Sequence, residues 1–234
     1  MTPALEVSGL VSGYGEAMVL RGVSLAVPAG EVLALLGKNG MGKSTLLKTV
    51  MGLLPAAAGH VRVHGEDTTG LPAYRLAARA VAYSPQDQAI FQDLTVDENL
   101  RLGLARDRDY RRRLDRVAAF FPFLGQRRRQ RAGTLSGGEQ KMLLMARALL
   151  SQPRLMLVDE ITEGLQPSIV LRLAEVLRAE MRALDLSILL VEQNVRFALA
   201  VADRYAVLTR GEIVDTGVAG APGAEGRILD HLAV

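Results

Sequence analysis

The sequence predicts an α/β protein: a mostly parallel, buried sheet, an antiparallel β subdomain near the N-terminus and a helical subdomain inserted in the middle. Near-continuous apolar strands alternate with helices in the last third, which is typical of a parallel sheet covered on both faces. The first third has strands and tight turns, and the middle has helical spacing. We therefore interpret the 234 residues as one domain, with a core of residues 1–86 and 153–234 that includes the β subdomain, and a helical subdomain of residues 87–152.

The elements follow one another in a clear order. Strands are predicted in EVSGLVSGY, VLRGVSLAV and VPAGEVLALLG, which are separated by Gly and Pro. A helix over residues 43–52 ends at Gly52, and strands follow in HVRVHGED and at residues 81–84. In the helical part, Thr95 and Glu98 form a capping-box signature, and EQKMLLMARALL is a strongly apolar helix. The last third contains LMLV, SIVLRLAEVLRAEMRAL, SILLVE, NVRFALAVA, the hairpin-like RYAVLTRGEIVDTG and a short final helix.

Composition excludes several classes of protein. The hydrophobic content of 49% is sufficient for a sizeable core, and the absence of cysteine excludes disulfide scaffolds and cysteine-ligated metal sites. The N-terminus MTPALEVSGL has no basic region before an apolar run, so we expect no signal peptide. No apolar run approaches the roughly 18 residues that span a bilayer. We therefore expect a soluble chain whose membrane role comes through partners.

Charge is unevenly distributed. Residues 101–131 contain eleven arginines and three aspartates, a local charge of +8 in a chain whose formal net charge is +3. Such a cluster suits nucleic acid, anionic lipid or an acidic partner. Single-strand binding would favour aromatic side chains that stack among these arginines. We expect none here, and this makes a solvated helical face the simpler interpretation.

The most specific motif is GKNGMGKST, residues 37–45, which matches G-x-x-x-x-G-K-[ST] between a predicted strand and a predicted helix. Its glycines let backbone N–H groups point at phosphate oxygens, and the helix dipole adds to the attraction. Lys43 is expected to reach the β- and γ-phosphates and Ser44 to bind Mg²⁺. The nucleotide-binding residues predicted from this motif are Gly37, Lys38, Asn39, Gly40, Met41, Gly42, Lys43, Ser44 and Thr45.

A second motif is LMLVDE, in which an apolar strand delivers Asp159 and Glu160 to its C-terminal tip. Doubly wound sheets bind ligands at that edge. Asp159 is expected to hold the Mg²⁺ hydration shell and Glu160 to orient or deprotonate the attacking water. Two carboxylates at a strand end are often only solvated, but their combination with the phosphate-binding loop predicts a P-loop ATPase core.

A third motif, LSGGEQ at residues 135–140, opens a predicted helix. Ser136 is positioned as its N-cap, while Gly137 and Gly138 allow an anion to approach exposed N–H groups. A simple N-cap explains Ser-Gly-Gly locally. It does not explain why LSGGEQ lies roughly 20 residues before LVDE.

With these motifs the chain resembles, over nearly its whole length, the ATP-binding subunit of an ABC transporter. The resemblance implies that Tyr14 stacks on adenine, and that Gln86 senses Mg²⁺ and contacts the membrane subunits. The segment that closes over ATP held by a second, facing ATPase subunit comprises Ser136, Gly137, Gly138, Glu139 and Gln140.

The same resemblance implies ATP and Mg²⁺ as cofactors and a head-to-tail ATPase dimer. It also implies two permease subunits, a substrate-binding protein that acts indirectly, no nucleic acid, and a peripheral location at the cytoplasmic face of the inner membrane.

Two segments depart from the general family pattern. After Glu160 the family usually has Pro-Thr/Ser and a loop with Leu-Asp, whereas this chain has Ile161 and Gln166. Gln193 stands where many members have a histidine that contacts the γ-phosphate, and glutamine donates a hydrogen bond but transfers no proton. We expect ITEGLQP to contact the partner ATPase, and replacement of Ile161 by proline to leave ATP binding intact.

The departures themselves resemble one branch of the family: the second ATPase subunit of importers for branched-chain amino acids and related amides, including urea. VEQN and the EGL-x-P loop carry this resemblance, and EGLQPSI favours the urea type. The branch implies a homologous but distinct ATPase partner. A non-transport ABC-type ATPase and a regulatory subunit with little hydrolysis are the remaining alternatives.

Overall fold

The structure is a computed structural model that describes residues 2–86, 90–104 and 106–233. Its strands are β1 Leu5–Tyr14, β2 Ala17–Val27, β3 Val32–Leu36, β4 Ala56–Val63, β5 Glu66–Asp67, β6 Val81–Ser84, β7 Leu155–Asp159, β8 Ser187–Glu192, β9 Arg204–Thr209 and β10 Glu212–Val218. Its helices are α1 Lys43–Val50, α2 Ala73–Ala77, α3 Val96–Arg101, α4 Tyr110–Phe120, α5 Pro122–Gln126, α6 Gly137–Leu150, α7 Pro167–Leu184, α8 Val195–Val201 and α9 Ala224–Ala233. Within these ranges, no helix is both long and apolar enough to cross a bilayer.

A six-stranded sheet in the order β10-β9-β3-β8-β7-β6 forms the centre. All its neighbouring pairs are parallel except β10 with β9. Every residue of β3, β7 and β8 is buried, because helices and a second sheet cover both faces. The predicted α/β class is therefore confirmed. The carboxyl ends of β3, β7 and β8 meet at one edge, which brings together the segments that follow them.

The second sheet is antiparallel, in the order β2-β1-β4-β5. Its apolar side chains share a cluster with Leu33 and Leu35 of β3, while Val32, Ala34 and Leu36 face the larger cluster on the other side. The segment HVRVHGED, expected as one strand, is divided between β4 and β5. Residues 64 and 65 have φ of 50° and 84° and form the turn between them.

The helical part contains α3 to α6, and its predicted start at residue 87 lies outside the described residues. The capping box predicted for α3 is confirmed: the Glu98 amide donates to Thr95 Oγ1 at 3.2 Å, and the Thr95 amide donates to Glu98 Oε2 at 2.8 Å. This exchange satisfies two backbone donors that a helix start otherwise leaves free.

The expectation that no aromatic residue stacks among the arginines is wrong. Tyr110 lies within the basic segment, and the guanidinium of Arg101 sits 4.1 Å from the centre of its ring. The Tyr110 hydroxyl donates to Asp97, which also accepts from Arg101 Nε at 2.8 Å and Arg128 Nε at 2.7 Å. Part of the basic cluster is therefore paired within the protein and joins α3, α4 and the segment before α6.

Candidate functional site

The phosphate-binding loop lies between β3 and α1 and packs against two other strands. A Cβ at Gly37 would lie 2.6 Å from the carbonyl oxygen of Leu208 in β9. Gly42 has φ of 105°, and its Cβ would lie 3.0 Å from Leu20 in β2. Both positions therefore require glycine. The Met41 carbonyl accepts from Gly211 in the β9–β10 turn at 3.1 Å, which fixes the loop from outside.

Lys43 begins α1 and is only 4% exposed. Its Nζ donates to the carbonyl oxygens of Gly37 at 2.8 Å and Lys38 at 2.9 Å, and forms an ion pair with Glu160 Oε1 at 2.9 Å. A buried ammonium needs such partners, because burial without them is strongly unfavourable. The structure therefore joins the phosphate-binding loop directly to the carboxylate that follows β7.

Asp159 occupies the last position of β7 and is 3% exposed. Ser44 Oγ donates to its Oδ1 at 3.2 Å, and the Tyr83 hydroxyl lies 3.5 Å from its Oδ2. Burial raises the pKa of Asp159, and Glu160 beside it adds to the rise, whereas Ser44, Lys43 and Tyr83 oppose it. Burial, followed by the charge of Asp159, raises the pKa of Tyr83.

The Ser44–Asp159 pair fits a magnesium ion. Mg²⁺ prefers oxygen ligands in an octahedron, in which neighbouring oxygens lie about 3 Å apart. Hydroxyl and carboxylate oxygens 3.2 Å apart match that spacing. Among the described residues there is no group of three or more His, Cys, Asp or Glu side chains that could hold a metal. Any ion at this pair would therefore need further ligands from a bound nucleotide or water.

Glu160 is the point at which the predicted site residues converge. Its backbone has a left-handed φ of 44°, and its amide donates to the carbonyl of Val191 in β8 at 2.9 Å. Its Oε2 accepts from Gln193 Nε2 at 2.8 Å and from Gln86 Nε2 at 3.1 Å. Together with Lys43, these amides surround one buried carboxylate with donors from three separate segments of the chain.

The LSGGEQ segment begins α6 with a second capping box. The Glu139 amide donates to Ser136 Oγ at 3.3 Å, and Glu139 Oε2 accepts from the Ser136 amide at 3.0 Å. The bond from the Ser136 backbone lowers the pKa of Glu139. A Cβ at Gly138 would lie 2.7 Å from Ile169 Cδ1, whereas a Cβ at Gly137 would meet no atom within 4 Å. The hydrogen bonds of Ser136 and Glu139 are local, and Glu139 also pairs with Arg127 at 2.9 Å.

Similarity to known proteins identifies the family to which the chain belongs. The sequence profile of the ABC transporter family matches residues 20–163. The chain belongs to the ABC transporter family. The branched-chain amino acid transport ATP-binding protein BraG of Pseudomonas aeruginosa is 44% identical over 210 residues, covering 88% of this chain and 90% of BraG. A probable branched-chain amino acid transport ATP-binding protein, LivF of Archaeoglobus fulgidus, is 36% identical over 212 residues, covering 90% of each chain.

A solved structure gives the same result for the fold. The ADP conformation of an ATP-binding cassette from an ABC transporter matches with a TM-score of 0.83 and 25% identity, covering 100% of this chain and 96% of that one. The present chain is thus an ABC ATPase: it binds ATP and hydrolyses it. The resemblance and the P-loop ATPase fold expected from the sequence are both confirmed.

Tyr14 of the ABC ATPase lies at the end of β1, beside the turn into β2, and its side chain is 49% exposed. An exposed ring is compatible with stacking on adenine, which remains a prediction. Gln86 lies next to Glu160, as described above, and its amide also donates to Glu163 Oε2. Its expected contacts with Mg²⁺ and with the membrane subunits remain predictions as well.

Several residues of the ABC ATPase's site were missed at the sequence level. Lys141 of α6 donates to the carbonyl oxygens of Glu163 and, at 3.4 Å, Glu160. Glu192, buried at the end of β8, accepts from Thr162. No short spacing signals these contacts, since the partners are 19 to 30 residues apart. For Glu192, the available signal was its position as a glutamate at the end of the otherwise apolar strand SILLVE.

Proposed function

We propose that this chain is the second ATPase subunit of an importer for branched-chain amino acids, and that it uses Mg-ATP. The similarity to BraG and LivF over about nine-tenths of the chain supports this assignment, since both carry that transport function in their names. The motif VEQN and the EGL-x-P loop resemble the same branch and support that part of the assignment, without separating branched-chain amino acids from urea.

The convergence on Glu160 is the observation that carries the catalytic part of the proposal. Glu160 accepts the proton of the attacking water, since it is a buried carboxylate held by Lys43, Gln86 and Gln193. The Gln193 amide makes neutral hydrogen bonds, so it orients the carboxylate and the γ-phosphate without transferring a proton.

Lys43 has a second role in this proposal. Its ammonium is bound to two carbonyl oxygens of its own loop and to Glu160 Oε1. Phosphate oxygens of ATP carry more charge than carbonyls and therefore compete for the ammonium. When Lys43 turns to the phosphates, Oε1 of Glu160 becomes free to accept from water. ATP binding and activation of the base are thereby linked through one side chain.

A magnesium ion would be held by Ser44 and Asp159, and Gln86 is the third residue predicted to contact it. It would neutralise charge on the β- and γ-phosphates. Asp159 has its other oxygen near the Tyr83 hydroxyl, so the orientation of the carboxylate is set by protein contacts on both sides.

The second ATPase in this proposal is a distinct homologue that faces this chain head to tail. Ser136 caps α6, and the backbone N–H groups of Gly137 and Gly138 that follow it suit an anion, with open space around Gly137. These N–H groups bind the ATP held by the partner, while the phosphate-binding loop of this chain binds its own.

We propose that a permease binds at a groove of about 700 Å³ between α2 and the segment that follows α3. Tyr74 is 69% exposed there and Leu102 56% exposed, so the groove offers two large side chains to a partner. The chain would bind by this face to the cytoplasmic side of the inner membrane. A substrate-binding protein on the other side delivers the cargo.

The test replaces Glu160 by glutamine in the transporter reconstituted with its permeases and partner ATPase. ATP hydrolysis is expected to fall by roughly 100-fold or more, because the general base is lost, while ATP affinity measured by calorimetry changes little. The matched control is Glu175→Gln, an exposed glutamate paired with Arg172 on α7. Unchanged hydrolysis in E160Q would instead support the regulatory alternative.

The cargo is tested separately in proteoliposomes with the cognate binding protein. Leucine, isoleucine or valine is expected to stimulate ATP hydrolysis and to accumulate. Stimulation by urea, with none by these amino acids, would contradict the assignment and favour the urea-type alternative. That alternative rests on the segment EGLQPSI.

A further inference from the structure

Glu192 is a buried carboxylate that the proposed mechanism leaves without a role. It ends β8, is 2% exposed, and follows the apolar residues Ile188 to Val191 on the same strand. Its Oε1 accepts from the Thr162 amide at 3.1 Å, and its Oε2 accepts from Thr162 Oγ1 at 2.8 Å and from the Gln193 amide at 3.3 Å. The Asn194 amide also contributes a bond. The donors that bind the carboxylate are thus neutral groups.

Neutral partners make this carboxylate an unfavourable choice for stability alone. Burial disfavours the charged form and raises the pKa of Glu192, and the bonds from Thr162, Asn194 and Gln193 only oppose that rise. An apolar side chain, like those of the four preceding residues, would avoid the penalty. A buried polar group of this kind is best explained by what it holds in place.

The two residues that Glu192 binds flank the catalytic carboxylate. Thr162 lies two residues after Glu160, in the loop that follows β7. Gln193 directly follows Glu192 and donates its side-chain amide to Glu160 Oε2 at 2.8 Å. Because β7 and β8 are neighbouring parallel strands, with Asp159 opposite Val191, the two loops leave the sheet side by side. The carboxylate of Glu192 bridges them.

The backbone of Glu160 makes this bridge important. Its φ of 44° is a left-handed conformation that a non-glycine residue adopts only when its neighbours impose it. One neighbour constraint is the bond from the Glu160 amide to Val191. The next fixed point along the chain is Thr162, which is held through both its amide and its hydroxyl.

We propose that Glu192 is a positioning residue for ATP hydrolysis, which sets the Glu160 carboxylate against the Gln193 amide by binding the loops that carry them. The inference rests on the roles proposed for Glu160 and Gln193. We therefore expect an effect on turnover and none on nucleotide binding. None of the hydrogen bonds that hold the Glu192 carboxylate comes from Lys43 or the rest of the phosphate-binding loop.

The principal variant is Glu192→Gln, examined in the assembled transporter. The glutamine has nearly the same shape but only one acceptor oxygen, so its NH₂ group faces a donor of Thr162 or Gln193. We expect kcat to fall about tenfold, because a displacement on the order of 1 Å in an active site can lower rates by up to roughly 100-fold. KM and the ATP dissociation constant are expected to stay within about twofold of the wild-type values.

Thr162→Val provides a second, milder variant that removes one donor and keeps the amide bond. It is expected to lower kcat by a few-fold in the same direction. The double variant E192Q/T162V is expected to be no slower than E192Q alone, because both changes break one bridge. Multiplication of the two single effects would show that the residues act separately and would overturn the proposal.

The control for a purely structural effect is Ser187→Ala at the other end of β8. Ser187 is also 2% exposed, and its Oγ accepts from the Gly30 amide at 2.9 Å. S187A is expected to lower the melting temperature without lowering kcat per folded chain. If E192Q does not fold, T162V decides: a wild-type kcat in T162V overturns the proposal.

The outcome also separates this inference from the proposed function. Unchanged hydrolysis in E160Q speaks against the catalytic role of Glu160, and hence against the function itself. A low rate in E160Q together with a wild-type rate in E192Q overturns the positioning role alone. A raised KM or weaker ATP binding in E192Q, with kcat unchanged, overturns it as well.

Discussion

At the residue scale, Ile161 gains an explanation that the sequence did not provide. The side chain is 3% exposed and belongs to the larger apolar cluster. It directly follows Glu160, whose φ is 44°. Proline restricts the preceding residue to extended conformations, so a proline at 161 would oppose the left-handed conformation of Glu160. Ile161 therefore allows the carboxylate to be held as the structure has it.

Replacing Ile161 by proline tests this explanation. ATP affinity is expected to stay near the wild-type value, because the phosphate-binding loop is untouched. Hydrolysis is expected to fall about tenfold, because Glu160 is displaced. The free energy of unfolding is expected to fall by roughly 1–3 kcal/mol, because packing around residue 161 is lost. Calorimetric ATP binding, steady-state hydrolysis and chemical denaturation measure these effects.

Ile161→Val is the matched control, since it keeps the backbone freedom and removes one methylene. It is expected to lower stability by about 0.5–1.5 kcal/mol and to leave kcat unchanged. A large loss of ATP binding in I161P would show that residue 161 shapes the nucleotide site itself.

The residues of the site differ in how far the sequence could predict them. The candidates Lys43, Ser44, Asp159 and Glu160 belong to short motifs whose spacing follows from one strand, one loop and one helix. Glu192 instead meets Thr162 across 30 residues, through the register of β7 against β8. That register is set by packing of the whole sheet, so no local pattern of the sequence reports it.

At the element scale, the contact between α3, α4 and the segment before α6 depends on one carboxylate. Asp97 accepts from Tyr110, Arg101 and Arg128. Burial alone would raise the pKa of Asp97, but these hydrogen bonds lower it below its usual range. The arginine content of this part was evident from the sequence, but the pairing was not, because Arg128 is 31 residues from Asp97.

The lowered pKa of Asp97 predicts a pH dependence of stability. A group whose pKa is depressed by folding adds stability above its unfolded pKa, about 3.9, and loses that contribution as the pH falls through its folded pKa. Asp97→Asn is therefore expected to be less stable than the wild type at pH 7. The difference should shrink as the pH falls below about 4. Urea denaturation between pH 7 and pH 3 measures the difference.

Asp115→Asn serves as the control for that series, because residue 115 is exposed on α4. It is expected to follow the wild-type curve at every pH. A stability difference between D97N and the wild type that stays constant down to pH 3 would contradict the role assigned to the Asp97 carboxylate.

At the scale of the whole molecule, the fold puts the two helix starts that we predict to bind anions in different parts of the chain. The phosphate-binding loop leads into α1 at the edge of the parallel sheet, and LSGGEQ leads into α6 in the helical part. The sequence predicted both motifs and the α/β class, because apolar periodicity and glycine spacing are local. It did not predict how β4 and β5 divide, because a non-glycine residue such as His64 rarely adopts the left-handed φ that the turn has here.

The proposed head-to-tail arrangement predicts that these two helix starts act on different ATP molecules. In the assembled transporter, Lys43→Ala disables the ATP bound by this chain. Gly137→Asp places a carboxylate where the partner's phosphates bind, and the open space around residue 137 lets the variant fold without a clash.

Each single variant is expected to keep a measurable rate from the other site, whereas the double variant loses hydrolysis entirely. Single-turnover hydrolysis with radiolabelled ATP measures all three, and Gly137→Ala, which adds no charge, is the control. If both motifs served one ATP, the double variant would hydrolyse as fast as the slower single variant, and the proposed dimer would be wrong.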